Sequence, residues 1–209
     1  MMYSVKEIFF TIQGEGCNAG KYAVFCRFSG CNLWNGREED RKKSICNFCD
    51  TDFIGTNGIN GGKFKNPQDL ALKAISFWRG NQTPLIVLTG GEPLLQVNDS
   101  LISELHKVGF EIAVETNGTI KAPSNIDWIC VSPKDNKKLK QNFGDELKLV
   151  FPQQKIQPKD FENLNFKNFL LQPMDGPKIK SNTIDAREFC NHNNNWKLSL
   201  QTHKILGYP

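Results

Sequence analysis

Three of the chain's seven cysteines, Cys31, Cys46 and Cys49, stand within one stretch, SGCNLWNGREEDRKKSICNFCD (residues 29–50). A C-x2-C turn lets two soft thiolates converge on one metal centre. The third arrives from across fourteen charged, loop-like residues. Structural zinc wants four closed ligands, and the local set has three unless Cys17 or Cys26 folds in. Neither of those has a partner at zinc-ribbon spacing. Three cysteines on an iron–sulfur cluster would leave one iron open to an exogenous ligand, a catalytic arrangement. Spacing alone leaves both readings standing. Cys26, Cys130 and Cys190 lie in apolar patterns and read as core filler, and Cys17 receives no role.

A second set of polar residues recurs where apolar runs end: Thr89-Gly90-Gly91-Glu92, Glu115-Thr116-Asn117, Ser132-Pro133-Lys134 and Gln172-Pro173-Met174-Asp175. The runs VKEIFFTI, YAVFCRFS, PLIVLTG, EIAVETN, DWICVS, ELKLVF, KNFLLQP and WKLSLQT read as strands. NPQDLALKAISFWRG reads as a helix, with Asn66 as N-cap, Pro67 at N1 and an apolar face of Leu70, Ala71, Ala74, Ile75 and Trp78. NDSLISELHKVG reads as another, stopping at Gly109, and SNTIDAREFCNHN as a third. Strand and helix alternate from about residue 66, so βα units in a mainly parallel sheet are expected. Ligands bind at the C-terminal strand edge of such sheets, so four polar endings on one rim would surround one site.

A 209-residue chain naturally makes one domain, here residues 1–209. A cluster-loop insert falls at about 32–45, and GTNGINGGKFKN, at about 55–66, reads as loop. Full (β/α)8 barrels take about 250 residues. The α/β expectation is therefore an abbreviated, open, partial TIM-like barrel with short or missing crossover helices. Its 39% apolar and 23% charged residues place the chain among ordinary soluble globular proteins. No apolar run can span a bilayer and the start resembles no export signal, so no membrane and a cytoplasmic location are expected. The net charge of +4 is modest. Its one basic cluster, Lys134 to Lys140, reads as a solvated loop, and no RNA-binding signature accompanies it, so nucleic acid is not an expected partner.

Phe48 between the paired cysteines, together with LTGGEP some forty residues on, resembles the radical S-adenosylmethionine enzymes. In that superfamily three cysteines hold a [4Fe–4S] cluster whose fourth iron binds the methionine moiety of the cofactor. FFTIQGEG, CRFSGCNLW, CNFCDTDF, LTGGEPLLQ, VETNGT, VSPK, LQPMDG and LQTHKILGYP resemble, in order, the 7-carboxy-7-deazaguanine synthases, from Ile8 to the last residue. Some members of that family carry a long insert after the first cysteine, as this chain does.

The resemblance implies a lyase of queuosine and 7-deazapurine biosynthesis. It would contract 6-carboxy-5,6,7,8-tetrahydropterin to 7-carboxy-7-deazaguanine with loss of ammonia. S-adenosylmethionine would serve as a regenerated radical cofactor, with Mg2+, an electron donor such as flavodoxin or ferredoxin, and a homodimer. Cys31, Cys46 and Cys49 would hold the cluster. Phe48, Cys49, Asp50, Gly91, Glu92, Ser132, Pro133, Lys134, Gln172, Pro173, Met174 and Asp175 would border S-adenosylmethionine, although Glu92 could equally be a turn-stabilising carboxylate. Ile12, Gln13, Gly14, Arg27, Thr89, Glu115, His203 and Pro209 would contact the substrate. Arg27 would meet the carboxylate with its forked guanidinium, and Pro209 would use its own terminal carboxylate. Without the family, the alternatives are an exposed strand residue for Arg27, a structural histidine for His203 and a turn residue for Thr51. The resemblance makes Thr51 the Mg2+ ligand. No acid–base pair is assigned, since positioning and water exclusion are the protein's share. A glycyl-radical activating enzyme or a zinc-stabilised binding module are the competing readings.

Overall fold

The structure is a computed structural model that describes residues 2–209. Its nine strands form one sheet in the order β3-β1-β2-β4-β5-β6-β7-β8-β9. β1 (Tyr3–Ile12) pairs antiparallel with β2 (Tyr22–Phe28) and with β3 (Gly62–Phe64). From β2 onward every neighbour is parallel: β4 (Leu85–Gly90), β5 (Glu111–Thr116), β6 (Trp128–Val131), β7 (Phe143–Phe151), β8 (Asn165–Pro173) and β9 (Trp196–Leu198). Among the described residues β9 has no strand partner on its far side, so the barrel is open.

The strands are buried on both faces, which is why they read as nearly continuous apolar runs. Outward, Val24, Cys26, Ile86, Leu88, Ile112, Val114, Leu147 and Leu149 form one core with the helices. α1 (Pro67–Ile75) adds Leu70, Ala71 and Ala74, and α2 (Asp99–Lys107) adds Leu101, Ile102 and Leu105. Inward, Ala23, Leu85, Val87 and Ala113 make a smaller plug with Phe25 and Trp128. Two residues further along these strands the same face turns polar, at Arg27, Thr89, Glu115 and Cys130. The plug is the floor; the polar layer is the site.

Asn66 caps α1 by accepting from the Asp69 amide at 2.8 Å, with Pro67 at the first helical position, as its sequence predicts. Only α2 (β4 to β5) and α3 (Ile179–His192, β8 to β9) are helical crossovers in the later part of the sheet. β5 to β6 and β6 to β7 cross as irregular chain, and β7 to β8 has a single 3-10 turn, Pro158–Asp160. The fold is the expected abbreviated barrel.

Two local expectations fail. Residues 55–66 are not wholly loop, because 62–64 form β3. The segment lies against β1, with the Ile8 amide donating to the Ile59 carbonyl (2.9 Å) and the Gly58 amide to that of Lys6 (3.0 Å). A side chain at Gly61 would overlap the Lys6 carbonyl, so the glycine serves close approach rather than freedom to turn. WKLSLQT is strand only to Leu198. There the chain leaves the sheet, and Thr202–Leu206 form a short helix, α4.

Glu92 is fully buried and braces the ends of β4 and β5. Its carboxylate accepts from the Leu94 amide (3.0 Å), the Thr116 hydroxyl (2.7 Å) and the Asn117 amide (2.8 Å). It does not line the cavity described below, so its assignment to the cofactor amino group is corrected to the turn-stabilising alternative. Glu92→Ala strands three buried donors and should cost roughly 3 kcal/mol. Glu92→Gln, keeping one acceptor oxygen, should cost less. Urea unfolding of the apoprotein under anaerobic conditions reads both.

Candidate active site

Cys31 stands three residues past the end of β2, and the loop carrying it is pinned from two directions. The Gly30 amide donates to the Phe53 carbonyl (3.2 Å), and the Glu92 amide donates to the Gly30 carbonyl (2.9 Å). Gly91 lies so close that an added Cβ would overlap the Gly30 carbonyl and approach Cys31 Cβ at 2.7 Å. Only glycine lets the end of β4 pass this loop. The Leu33 amide points at Cys31 Sγ (3.5 Å), and burial raises the pKa of that thiol. The neighbouring Cys46 thiol lowers the Cys49 pKa against the opposing effect of burial.

The insert folds back onto this loop. Trp34 is buried edge-on against Phe53 (5.6 Å, 85°). Arg41 stacks on the Trp34 ring at 4.0 Å and donates to the carbonyls of Cys49 (2.9 Å) and Asn47 (3.3 Å). A two-point pair with Glu38 (2.6 and 2.7 Å) steadies the same guanidinium. RKK therefore contains one fastening residue, Arg41, which the charge run concealed.

Cys31, Cys46 and Cys49 all border one cavity of about 420 Å³, within the usual range for a small-molecule site. Among the described residues no fourth cysteine lines it. A closed zinc site would need one, whereas a cluster with one open iron does not, so the donor set fits the cluster. The cavity is also bordered by Phe48, Asp50, Thr51, Gly91, Ser132, Lys134 and Gln172 to Asp175. The Lys134 ammonium donates to the Ser132 hydroxyl (2.6 Å) and lies 5.8 Å from the centre of the Phe48 ring. Lys204 of α4 ties Asp50 (3.0 Å) to Asp175 (2.5 Å).

Ile12, Gln13, Arg27, Thr89, Glu115, His203 and Pro209 line the same cavity. Arg27 is not an exposed strand residue. Its Nε donates to Glu7 (2.8 Å), and its side chain is 19% exposed. Gly14 and Pro133 are not on the wall. The Gly14 carbonyl instead accepts from the Thr202 amide and hydroxyl, both at 2.9 Å, and the His203 ring packs directly on this glycine. His203 Nδ1 is buried without a hydrogen-bond partner, and burial lowers its pKa, which keeps the ring neutral at pH 7.

Sequence reasoning did not single out the layer beneath. Lys148 donates to Glu15 (2.7 Å) and Glu115 (2.9 Å), Gln13 donates to Glu115 (3.1 Å), and Gln201 donates to Glu15 (2.8 Å). The Glu146 carboxylate accepts from the Cys17 amide (2.7 Å) and lies near Glu115 and Cys130. Cys130 is thus buried as expected, but among acids on the inner face. The only signal was E-L-K-L, whose alternation reads equally as a solvated strand face. Burial pushes the Glu15 pKa up, but the Lys148 ammonium and the Gln201 bond outweigh it and hold it at about 2.

Residues 42–133 match the Radical SAM superfamily. The whole chain is 60% identical to a 7-carboxy-7-deazaguanine synthase from Caulobacter vibrioides, over 100% of both proteins. A protein of the same name from Burkholderia multivorans is 53% identical, again over 100% of both. Among solved structures, the crystal structure of QueE from Escherichia coli matches with a TM-score of 0.67 at 27% identity, covering 96% of this chain and 94% of that one.

Gly91→Ala should fold yet fail to hold its cluster, because the new methyl displaces the Cys31 loop. Iron and sulfide per chain after anaerobic reconstitution should fall several-fold, together with the broad visible absorption. The Glu15 contribution has a definite sign. A carboxyl near 4.5 when unfolded and about 2 when folded stabilises fully above pH 4.5 and loses its effect as pH falls toward 2. The difference corresponds to about 3 kcal/mol. Glu15→Gln should flatten the acid limb of a stability-versus-pH curve by that order.

Proposed function

The chain belongs to the 7-carboxy-7-deazaguanine synthase family of the radical S-adenosylmethionine superfamily, and from that premise we propose how its residues divide the work. The reaction is ring contraction of 6-carboxy-5,6,7,8-tetrahydropterin to 7-carboxy-7-deazaguanine with release of ammonia. It uses a [4Fe–4S] cluster and S-adenosylmethionine, and it requires a reductant. The observation that carries the assignment of residues is the single cavity, bordered at once by three free thiols and by Arg27, Glu115 and His203.

Cys31, Cys46 and Cys49 hold the cluster, which with S-adenosylmethionine supplies the one-electron chemistry. Phe48, Asp50, Gly91, Ser132, Lys134 and the strand end Gln172 to Asp175 enclose the cofactor. Arg27 spends its Nε on Glu7 and offers its terminal nitrogens to the substrate carboxylate, so Glu7 aims the fork. Gln13, Thr89 and Glu115 orient the ring, with Ile12 and Pro209 closing the wall around it. Neutral His203 gives the ring edge a neighbour without adding charge. Thr51, at the margin of the cavity, is the Mg2+ ligand in this reading. Its hydroxyl is a weak donor, so substrate and water oxygens complete the shell.

The electron donor is a low-potential protein such as flavodoxin or ferredoxin, and the working unit is a homodimer. Among the described residues, no helix is long and apolar enough to cross a membrane.

Reconstituted protein, incubated anaerobically with reductant, S-adenosylmethionine, Mg2+ and the carboxytetrahydropterin, should release the deazaguanine acid, identified by mass. Cleavage of S-adenosylmethionine without that product would leave the superfamily chemistry and remove the substrate. One zinc per chain and no sulfide would remove both.

A further inference from the structure

Lys148 stands on the inner face of β7, with its side chain only 4% exposed, yet it borders the cavity. Two of its three donors are committed, to Glu15 and to Glu115. Each Glu115 oxygen has one N–H partner: Oε1 accepts from Gln13 and Oε2 from Lys148, and the Cys130 thiol adds only a weak S–H donor. A carboxylate oxygen has two acceptor positions, so each retains one that a stronger N–H donor can take. Glu115 can therefore accept two more parallel N–H donors from the cavity, provided it is ionised and held at this angle.

Most of its surroundings oppose ionisation. Glu146 of β7 and Glu15 of the segment after β1 face it, whereas the Cys130 thiol of β6 hydrogen-bonds to it and neutral His203 of α4 lies on the same cavity. Burial raises the Glu115 pKa, and Glu146 and Glu15 raise it further. Lys148 is the cation that pulls it down. A protonated Glu115 would present a hydroxyl donor to the cavity in place of one acceptor. The two remaining acceptors match the adjacent N2–H and N3–H donors on the 2-amino-4-oxopyrimidine edge of a pterin.

We propose that Lys148 is a positioning residue for substrate recognition: it holds Glu115 as an oriented, acceptor-only carboxylate for the two-donor pyrimidine edge of the pterin. This rests on the substrate reading above. It separates the functions of two cations. Arg27 reads the substrate's carboxylate directly, whereas Lys148 reads the opposite chemistry, N–H donors, by way of an acid. Glu15, fixed by Gln201 across the barrel seam, keeps the ammonium from sitting on Glu115 alone.

The test compares anaerobically reconstituted wild type, Lys148→Met, Lys148→Arg and the charge-conserving double variant Glu15→Gln/Lys148→Met. Steady-state turnover of the carboxytetrahydropterin is followed between pH 6.5 and 9. Lys148→Met should raise KM at least tenfold at pH 7, with a much smaller fall in kcat. Relative to wild type at each pH, the defect should shrink as pH rises and Glu115 loses its proton. Lys148→Arg should recover part of the KM. The double variant removes one acid with the cation, so it should fold while keeping a raised KM. Iron and sulfide per chain should match wild type in all variants, so that the defect reads substrate binding and not loss of the cluster. A double variant with wild-type KM would make Lys148 a mere counter-ion and overturn the inference. So would a defect in kcat alone, or one equal at pH 6.5 and 9. Absence of product from wild type would instead remove the substrate reading, and the inference with it.

Discussion

The constraint on which the rest depends is that this barrel does not close through its backbone. β9 ends the sheet without returning to β1, so the seam would admit water to the inner face. Side chains and one terminal segment seal it. The Gly16 amide donates to the Ser199 hydroxyl (2.9 Å), Gln201 reaches Glu15, and Thr202 donates twice to the Gly14 carbonyl. At the far end the Thr11 hydroxyl donates to a Pro209 main-chain oxygen (3.3 Å). These bonds are polar because they replace ladder bonds that unpaired strand edges would otherwise lack. The same seal brings His203 and Pro209 onto the cavity wall. Closing the fold and completing the site are one structural event.

An open seam also explains the polar interior. In a closed barrel of this kind the inside is a packed apolar core. Here the apolar plug stops at Phe25, Val87 and Ala113, and the next inward layer carries Arg27, Glu115 and Lys148. A lone buried ammonium would be prohibitive, but Lys148 has two carboxylates within 2.9 Å, and each carboxylate has a further amide donor. The network keeps its charges only because every member is paired. A ring contraction that needs its substrate fixed in one pose gains from such a floor, since the geometry is set before the substrate arrives.

Much of this was legible in the sequence, and the exceptions share a cause. The strand runs, the Asn66–Pro67 helix start and the four polar rims follow from period, capping and turn chemistry, all of which are local. β3 escaped because its pairing to β1 is set by close backbone approach at Gly58 and Gly61, and glycine-rich chain looks like loop whether or not it pairs. Glu146 and Lys148 escaped because alternation does not say whether the polar face meets water or a cavity. Glu92 was drawn to the cofactor by its neighbours in GGE. The two adjacent residues act on opposite sides of the strand end. Gly91 lets it pass the cysteine loop, and Glu92 ties it to β5 from behind. Arg41 hid in a run whose other charges are largely exposed.

Arg41 and Lys204 also show how the two halves of the cavity are held in register. Arg41 fixes the Cys49 carbonyl from the insert, and Asp50, the next residue, is held by Lys204 of the seam helix. Lys204 also holds Asp175 beyond β8. Exposed ion pairs contribute little stability one at a time, so the value of these lies in geometry. A shift of α4 that moved His203 and Pro209 would also pull on Asp50 and hence on the loop bearing Cys46 and Cys49. The cavity wall that carries His203 and Pro209 and the loop that bears the thiols are therefore joined through one lysine. One side chain thus sets the spacing of three segments that border one cavity: the cysteine loop, the end of β8 and the seam helix.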